Sequence, residues 1–465
     1  MPDRRDDLDS WLDGQIEPLP PPPGTFELIK RRSRRRKYRR LAVGAGAAAV
    51  IAAAAVTVPH VVNLPVLNPT TASNAANGHT PTAAPSAGAG TSSSSATPIQ
   101  APPQAPVPAN FQPTSVTFTG TNTGWVIGQA GTPGHCATQY CTSMARTDDA
   151  GKTWAGLHAP LTGPADGATG GSQVRFLDSE DGWAFGPELF ATHDGGQTWT
   201  PVATNGLRVT DLETVGDRAF ALFAACTGTG AAFASQCTSY TLYSSPASAD
   251  DWTPVGPSTS GLISGQASGQ ASGQASGQAG AASLVLTGTR GYLLAPDGML
   301  FAGPVDGSAP WQAIKQIPCP VGTPLADGQP TGALLAAVDA ADLVLVCASS
   351  SAPGTQQAKQ VFTSADGGIV WQNAAAAPAL GMATSVAATP GGTNVLATSQ
   401  GIDVQPAGNA AWQAATLNRP PPAGGFGYVG MTTGSQGVAL PADPAIGTVW
   451  FTFDGGKTWT PSPVS

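Results

Sequence analysis

The chain changes character twice along its length. From Leu41 to Val62 almost every residue is apolar or small (LAVGAGAAAVIAAAAVTVPHVV), and no Asp, Glu, Lys or Arg occurs between Leu41 and Ala145. As a helix the 22 residues of 41–62 would rise roughly 33 Å, about one hydrocarbon core. Residues 63–110 then mix Pro, Ala, Thr, Ser and Gly with too little apolar surface to offset the entropy of ordering, which predicts a disordered linker. From Phe111 onward short apolar runs alternate with Gly- and Asp-rich turns, the period-two pattern of strands. A tandem SGQA tract at 264–280 interrupts this pattern and reads as a flexible insertion.

The strand-rich part repeats. Four segments share Ser/Thr-x-Asp-x-Gly-x-x-Trp: TDDAGKTW (Thr147, Asp149, Gly151, Trp154), THDGGQTW (Thr192, Asp194, Gly196, Trp199), SADGGIVW (Ser364, Asp366, Gly368, Trp371) and TFDGGKTW (Thr452, Asp454, Gly456, Trp459). Trp252, Trp311 and Trp412 arrive in phase behind decayed copies. Upstream of most units an apolar strand, a polar turn and Gly-aromatic recur, as in VRFLDSEDGWAFG. Each unit reads as four short strands, and seven units predict an all-β, seven-bladed β-propeller over 111–465. Asp and Ser/Thr in such a turn can accept backbone N–H groups, Gly supplies φ > 0, and Trp anchors the turn between sheets.

With these motifs the sequence resembles the Asp-box (bacterial neuraminidase repeat) propellers, and most closely the photosystem II stability/assembly-factor type, which combines FLD…GWAFG with TxDGGxTW. The resemblance covers roughly residues 111–463. It implies that the boxes are structural turns, so none of their aspartates is expected to be catalytic. Sialidases share the box, but their Phe-Arg-Ile-Pro motif is absent. Only Glu180, Glu188 and Glu213 follow the apolar span, none beside an evident Tyr partner.

Charge sets the topology. Residues 1–40 hold 11 of the 21 basic and 7 of the 29 acidic residues, a net +4, and the remaining 425 carry −12 of the total −8. The basic run from Lys30 to Arg40 flanks the apolar span on one side only, which predicts an uncleaved single-pass anchor with a cytoplasmic tail at 1–40 and the propeller outside the cell membrane. An acidic main body argues against nucleic-acid binding. All six Cys lie beyond the span, as exported disulfides would. In a blade with strands a to d running outward, the boxes occupy the c–d turns and mark one face, the bottom. The b–c loops of blades 1, 3 and 5 (about 129–143, 225–239 and 348–359) are long and belong to the top. Cys136/Cys141 and Cys226/Cys237 each fall within one such loop, and Cys319 can meet Cys347, so all six map to the top.

Candidate contacts follow from this map. His135 and Tyr140 are framed by a candidate disulfide loop, and Arg175 and Arg208 lie on innermost strands of adjacent blades, where they could bind an anion in the channel or pair with Asp178 and Asp211. Leu8, Trp11, Leu12 and Ile16 form one apolar stripe on a short acidic helix that could dock a cytoplasmic regulator. No metal-ligand spacing and no cofactor motif is present: the two Gly-Lys-Thr triplets belong to boxes and lack the phosphate-loop glycine. The expected work is non-catalytic binding of an envelope protein or glycan through the top face. A sensor coupled to a cytoplasmic regulator is the alternative, and an exported glycosidase the third reading.

Overall fold

The computed structural model describes residues 105–130, 141–160, 171–226, 237–260, 282–319, 332–351, 356–408 and 410–465. The tail, the apolar span at 41–62, most of the linker and the SGQA tract lie outside them. Among the described residues no helix is long and apolar enough to cross a membrane.

Seven antiparallel sheets of four consecutive strands form the ring. Blade 1 holds β1 (Gln112–Phe118), β2 (Gly124–Ala130), β3 (Cys141–Thr147) and β4 (Ala155–Leu157). Blade 2 holds β5 (Gly171–Phe176), β6 (Gly182–Pro187), β7 (Leu189–Thr192) and β8 (Thr200–Pro201). Blade 3 holds β9 (Arg208–Val215), β10 (Arg218–Cys226), β11 (Cys237–Pro246) and β12 (Thr253–Ser260). Blade 4 holds β13 (Ser283–Leu286), β14 (Arg290–Leu294), β15 (Met299–Pro304) and β16 (Gln312–Gln316). Blade 5 holds β17 (Ala333–Ala337), β18 (Leu343–Ser351), β19 (Gln357–Ser364) and β20 (Gln372–Asn373). Blade 6 holds β21 (Ala383–Ala388), β22 (Asn394–Thr398), β23 (Gly401–Gln405) and β24 (Gln413–Ala414). After β25 (Thr416–Leu417), blade 7 holds β26 (Phe426–Met431), β27 (Gly437–Pro441), β28 (Thr448–Thr452) and β29 (Thr458–Pro463). β25 adds a fifth strand, parallel to β29, which the sequence pattern does not reveal.

The apolar core is divided among the seams. One cluster lies between each pair of neighbouring blades, and each in-phase Trp packs in the seam with the preceding blade. Trp154 meets Phe451 and Val438 between blades 7 and 1, and Trp311 meets Phe220 and Leu222 between blades 3 and 4. Trp199, Trp252, Trp371, Trp412 and Trp459 take the equivalent places. A seam at every blade, including 7 to 1, closes the ring.

The Gly-aromatic signature has a mechanical origin. The glycine opening the second strand pairs with the last residue of the first, whose side chain lies over it: a Cβ on Gly124 would stand 2.6 Å from the Phe118 ring, and on Gly182 2.5 Å from Phe176. The aromatic after that glycine is buried and its polar tip clamps the next blade's bottom turns. Trp125 Nε1 donates to Gly195 O (3.0 Å), Trp183 Nε1 to Asp250 Oδ1 (2.9 Å), and the Tyr292 hydroxyl to Ala340 O (2.5 Å).

The innermost strands carry one more regularity. In β1, β9 and β21 a single threonine is bulged out of register, Thr114, Thr210 or Thr384. Thr114 Oγ1 then donates to Ser172 O (2.8 Å) and Thr384 Oγ1 to Phe426 O (2.6 Å), lacing one blade to the next around the channel.

Candidate functional site

The eight-residue turns show what their aspartates do. In each, the Ser/Thr hydroxyl accepts the Gly N–H four residues on, at 2.9 to 3.0 Å. The Asp Oδ1 accepts the N–H of residue 153, 198, 370 or 458 at 2.9 Å. In three turns a threonine hydroxyl also donates to Oδ2 at 2.6 Å. Burial works against ionisation of Asp149, Asp194 and Asp454, but these donors outweigh it and hold the carboxyls below their ordinary value. In those three turns both oxygens are spent on the turn. Each turn is also tied to its own blade's a–b turn by a backbone bond, for example Gly195 N–H to Glu180 O (2.9 Å) and Gly455 N–H to Ser435 O (2.8 Å), so both sets of turns share the bottom face.

The fourth turn departs from this scheme. Ile369 and Val370 replace the polar residues and are 55% and 52% exposed. Val370 cannot reach Asp366 Oδ2 as threonine does elsewhere. Val370→Thr is expected to stabilise the ring by about 0.5–1.5 kcal/mol, read as a raised urea midpoint at unchanged slope.

Two of the three expected cysteine pairs are formed. Cys226–Cys237 closes the top ends of β10 and β11, and Cys319–Cys347 joins the end of blade 4 to blade 5. Cys136, His135 and Tyr140 lie outside the described residues, as do Leu8, Trp11, Leu12 and Ile16.

Arg175 and Arg208 lie at opposite ends of neighbouring innermost strands. Arg208 opens β9 at the top, whereas Arg175 sits near the bottom of β5 and donates from Nε to Glu213 Oε1 (3.0 Å). Glu213 is five residues along β9 from Arg208, about 16 Å at the strand rise. The two arginines therefore do not converge on one anion. Nor does Arg175 pair with Asp178, whose Oδ1 accepts Glu180 N–H and Asp181 N–H in its own turn. Its nearest carboxylate is Glu213, because i and i+2 of a strand face the same way and place Asp211 and Glu213 together in the channel.

Around Arg175 the channel gathers Ser115, Asp211, Glu213 and Tyr428. Arg175 also donates to Val174 O (2.9 Å), and Asp211 Oδ2 accepts Leu284 N–H (2.9 Å). Burial, then the neighbouring charge of Glu213, pushes the Asp211 carboxyl well above its ordinary range. Burial alone would lower the Arg175 guanidinium, but Glu213, Tyr428 and Asp211 more than offset it and its pKa rises. The structure thus supplies a tyrosine near Glu213 that the sequence does not single out. Its phenol is pushed up by burial, the opposite of an activated nucleophile.

A second ionic bridge joins blades 2 and 3 on the bottom face. His193 Nδ1 meets Asp181 Oδ1 (2.8 Å) and Nε2 meets Asp250 Oδ2 (2.9 Å), and these hydrogen bonds, Asp181 first, raise the imidazole from 6.5 to about 10. A group raised on folding stabilises fully below its unfolded value and loses that contribution as pH climbs through the folded one. Ring stability is therefore expected to fall between about pH 6.5 and pH 10, and His193→Gln to flatten this slope in urea titrations. With the side chain 43% exposed, solvent screening keeps the effect small.

Clefts open on the described surface at two places among others. One, of about 670 Å³, lies on blade 2 and its link to blade 3, with Leu189, Phe190, Val202 and Leu207 as apolar lining and Glu188 and Arg208 beside them. The other, of about 660 Å³, lies on the bottom face between blades 1 and 7. Among the described residues no group of His, Cys, Asp or Glu is placed to hold a metal ion.

Fold and site together define an all-β, seven-bladed propeller with self-saturated turn aspartates and surface clefts. No family model and no curated protein matches the chain. Among solved structures, YCF48 bound to D1 peptide is 15% identical with a TM-score of 0.44, over 76% of this chain and 95% of that one. YCF48 from Cyanidioschyzon merolae is also 15% identical, with a TM-score of 0.39 over 62% and 84%. An ancestral GH74 enzyme is 11% identical, with a TM-score of 0.49 over 77% and 47%. The functional reading rests on the chain's own residues.

Proposed function

We propose that the chain is a single-pass, membrane-anchored protein whose exported Asp-box propeller is a non-catalytic binding module for an envelope protein or glycan. The observation that carries this is the cleft on blade 2: an apolar lining next to Glu188 and Arg208, reached from the face of the b–c and d–a connections. The anchor rests on the apolar 41–62 segment and its one-sided basic flank. Asp149, Asp194 and Asp454 support a scaffold role, since both oxygens of each are occupied by the turn.

The test is cross-linked co-purification from membranes with the full chain, a chain lacking residues 1–29, and Arg208→Glu. The reading expects the same envelope components with the first two and their loss with the third, which circular dichroism should show still folded. Capture that survives Arg208→Glu removes the cleft from the argument. A cytoplasmic regulator seen only with the full chain supports the sensor reading through Leu8, Trp11, Leu12 and Ile16. The channel cluster favours one further reading, an exported glycosidase using Asp211 and Glu213. It requires hydrolysis of fluorogenic glycosides that Asp211→Asn and Glu213→Gln each abolish.

A further inference from the structure

The cleft between blades 1 and 7 has a composition of its own. Its walls come from four bottom turns: Thr121 and Asn122, the Asp148–Lys152 turn, Ser435 and Gln436, and Phe453. Backbone bonds fix these turns in pairs, Ala150 N–H to Asn122 O (2.9 Å) and Gly455 N–H to Ser435 O (2.8 Å). Gln436 is buried, and its Nε2 spans the seam to Thr121 O (2.7 Å). The rim is thus held before any ligand arrives.

Phe453 is the residue without a structural reason. It occupies the second position of its eight-residue turn. In two of the other turns that position is used within the fold: Asp148 pairs with Arg146 (2.8 Å) and His193 bridges Asp181 and Asp250. In the third it is the small Ala365. Phe453 is 57% exposed, its ring nearly parallel (7°) to that of Phe451 with centroids 6.3 Å apart. An aromatic ring offered to a polar cleft gives a ligand one flat apolar face to lie on.

The charges narrow the ligand. Arg146 and Lys152 balance Asp148 and Asp149, Asp148 being paired with Arg146 and Asp149 bonded within its turn, so the wall carries no net charge and suits a neutral molecule. Asn122 and Ser435 supply an amide and a hydroxyl, which can both donate and accept. A neutral ligand with one apolar C–H face and a rim of hydroxyls is a sugar ring. We propose that this cleft is a saccharide-binding site, separate from the top-face cleft and independent of the reading made for it, with Phe453 as stacking platform and Asn122, Ser435 and Lys152 as hydroxyl partners. Because the walls belong to the first and last blades, a bound sugar bridges the ring's seam and stabilises it.

The test is saturation-transfer NMR on the purified full chain in a detergent without a sugar headgroup. The probes are maltose, cellobiose and N,N′-diacetylchitobiose at millimolar concentration, with adenosine as a flat heteroaromatic comparison. At least one disaccharide is expected to show transfer strongest at its C–H face and to raise the melting temperature. Phe453→Ala should weaken its binding at least tenfold while melting as the unliganded parent does, and Phe453→Trp should retain it. The proposal is overturned by silence from all three sugars, by equal signals in Phe453→Ala, or by transfer to adenosine alone. Arg208→Glu leaves sugar binding intact if the two clefts are separate, and its loss there overturns their independence.

Discussion

Replacing Arg175 by leucine is expected to cost the ring about 3–5 kcal/mol, the range for removing one partner of a buried ion pair. The guanidinium side chain is 9% exposed and holds Glu213 at 3.0 Å. Glu213, at 30%, keeps part of its hydration, so the loss falls mainly on Asp211, which is buried with its Oδ2 against Leu284 N–H. The variant therefore carries a signature in pH. A carboxyl whose folded value is raised binds more protons in the native state, so stability falls as pH rises between its unfolded and folded values. Removing Arg175 takes away a charge that favours the ionised form and strengthens that dependence. Urea denaturation should find Arg175→Leu closer to the parent at pH 5 than at pH 8. Adding Asp211→Asn should remove the difference. Equal losses at both pH values would mean that packing, not charge, is what the arginine supplies.

Gly151→Ala is expected to open the seam between blades 1 and 7. Gly151 has φ +80°, where a side chain costs roughly 1–2 kcal/mol, and its new Cβ would lie 2.1 Å from Phe451 Cζ. Overpacking of this kind adds about 1–3 kcal/mol. The same turn accepts a bond from Ser462 Oγ at Gly151 O (2.5 Å), so displacement of the glycine is passed to β29. Hydrogen exchange should rise in blades 1 and 7 before blade 4. Phe451→Leu on this background should return the overpacking part of the loss and leave the backbone part. A uniform rise around the ring would show instead that the seams unfold together.

Blade count, strand order within blades and the face of each turn were legible because they follow from repeated residues. The seven Trp fix the phase, the Gly-aromatic pairs mark the second strands, and turn aspartates mark the face. The Cys226–Cys237 and Cys319–Cys347 pairings follow from that map alone. The channel was less legible. Arg175 could be placed on an innermost strand, but its partner Glu213 is set by how far one strand is staggered against the next. That stagger depends on threonine bulges which leave no mark in periodicity. Tyr428 joins the cluster only because blade 7 closes on blade 1. Phe453 was hidden inside a motif whose second position tolerates anything, and only its exposure sets it apart.

Many closed rings borrow a strand from one end of the chain to finish the blade at the other end; among the described residues this one does not. Every strand of blade 1 precedes every strand of blade 7, and the ring is locked by side chains such as Gln436 and Ser462. Ahead of β1 the chain lies along the outer edge of blade 1, where Gly156 N–H bonds to Ala105 O (2.8 Å). A pull on the N-terminal side therefore loads that outer bridge first and then the buried Phe111, which packs with Val438, Val449 and Phe451 in the seam between blades 7 and 1. Tension applied there reaches the core that joins the first and last blades, and the Gln436 and Ser462 bonds across the seam share the load.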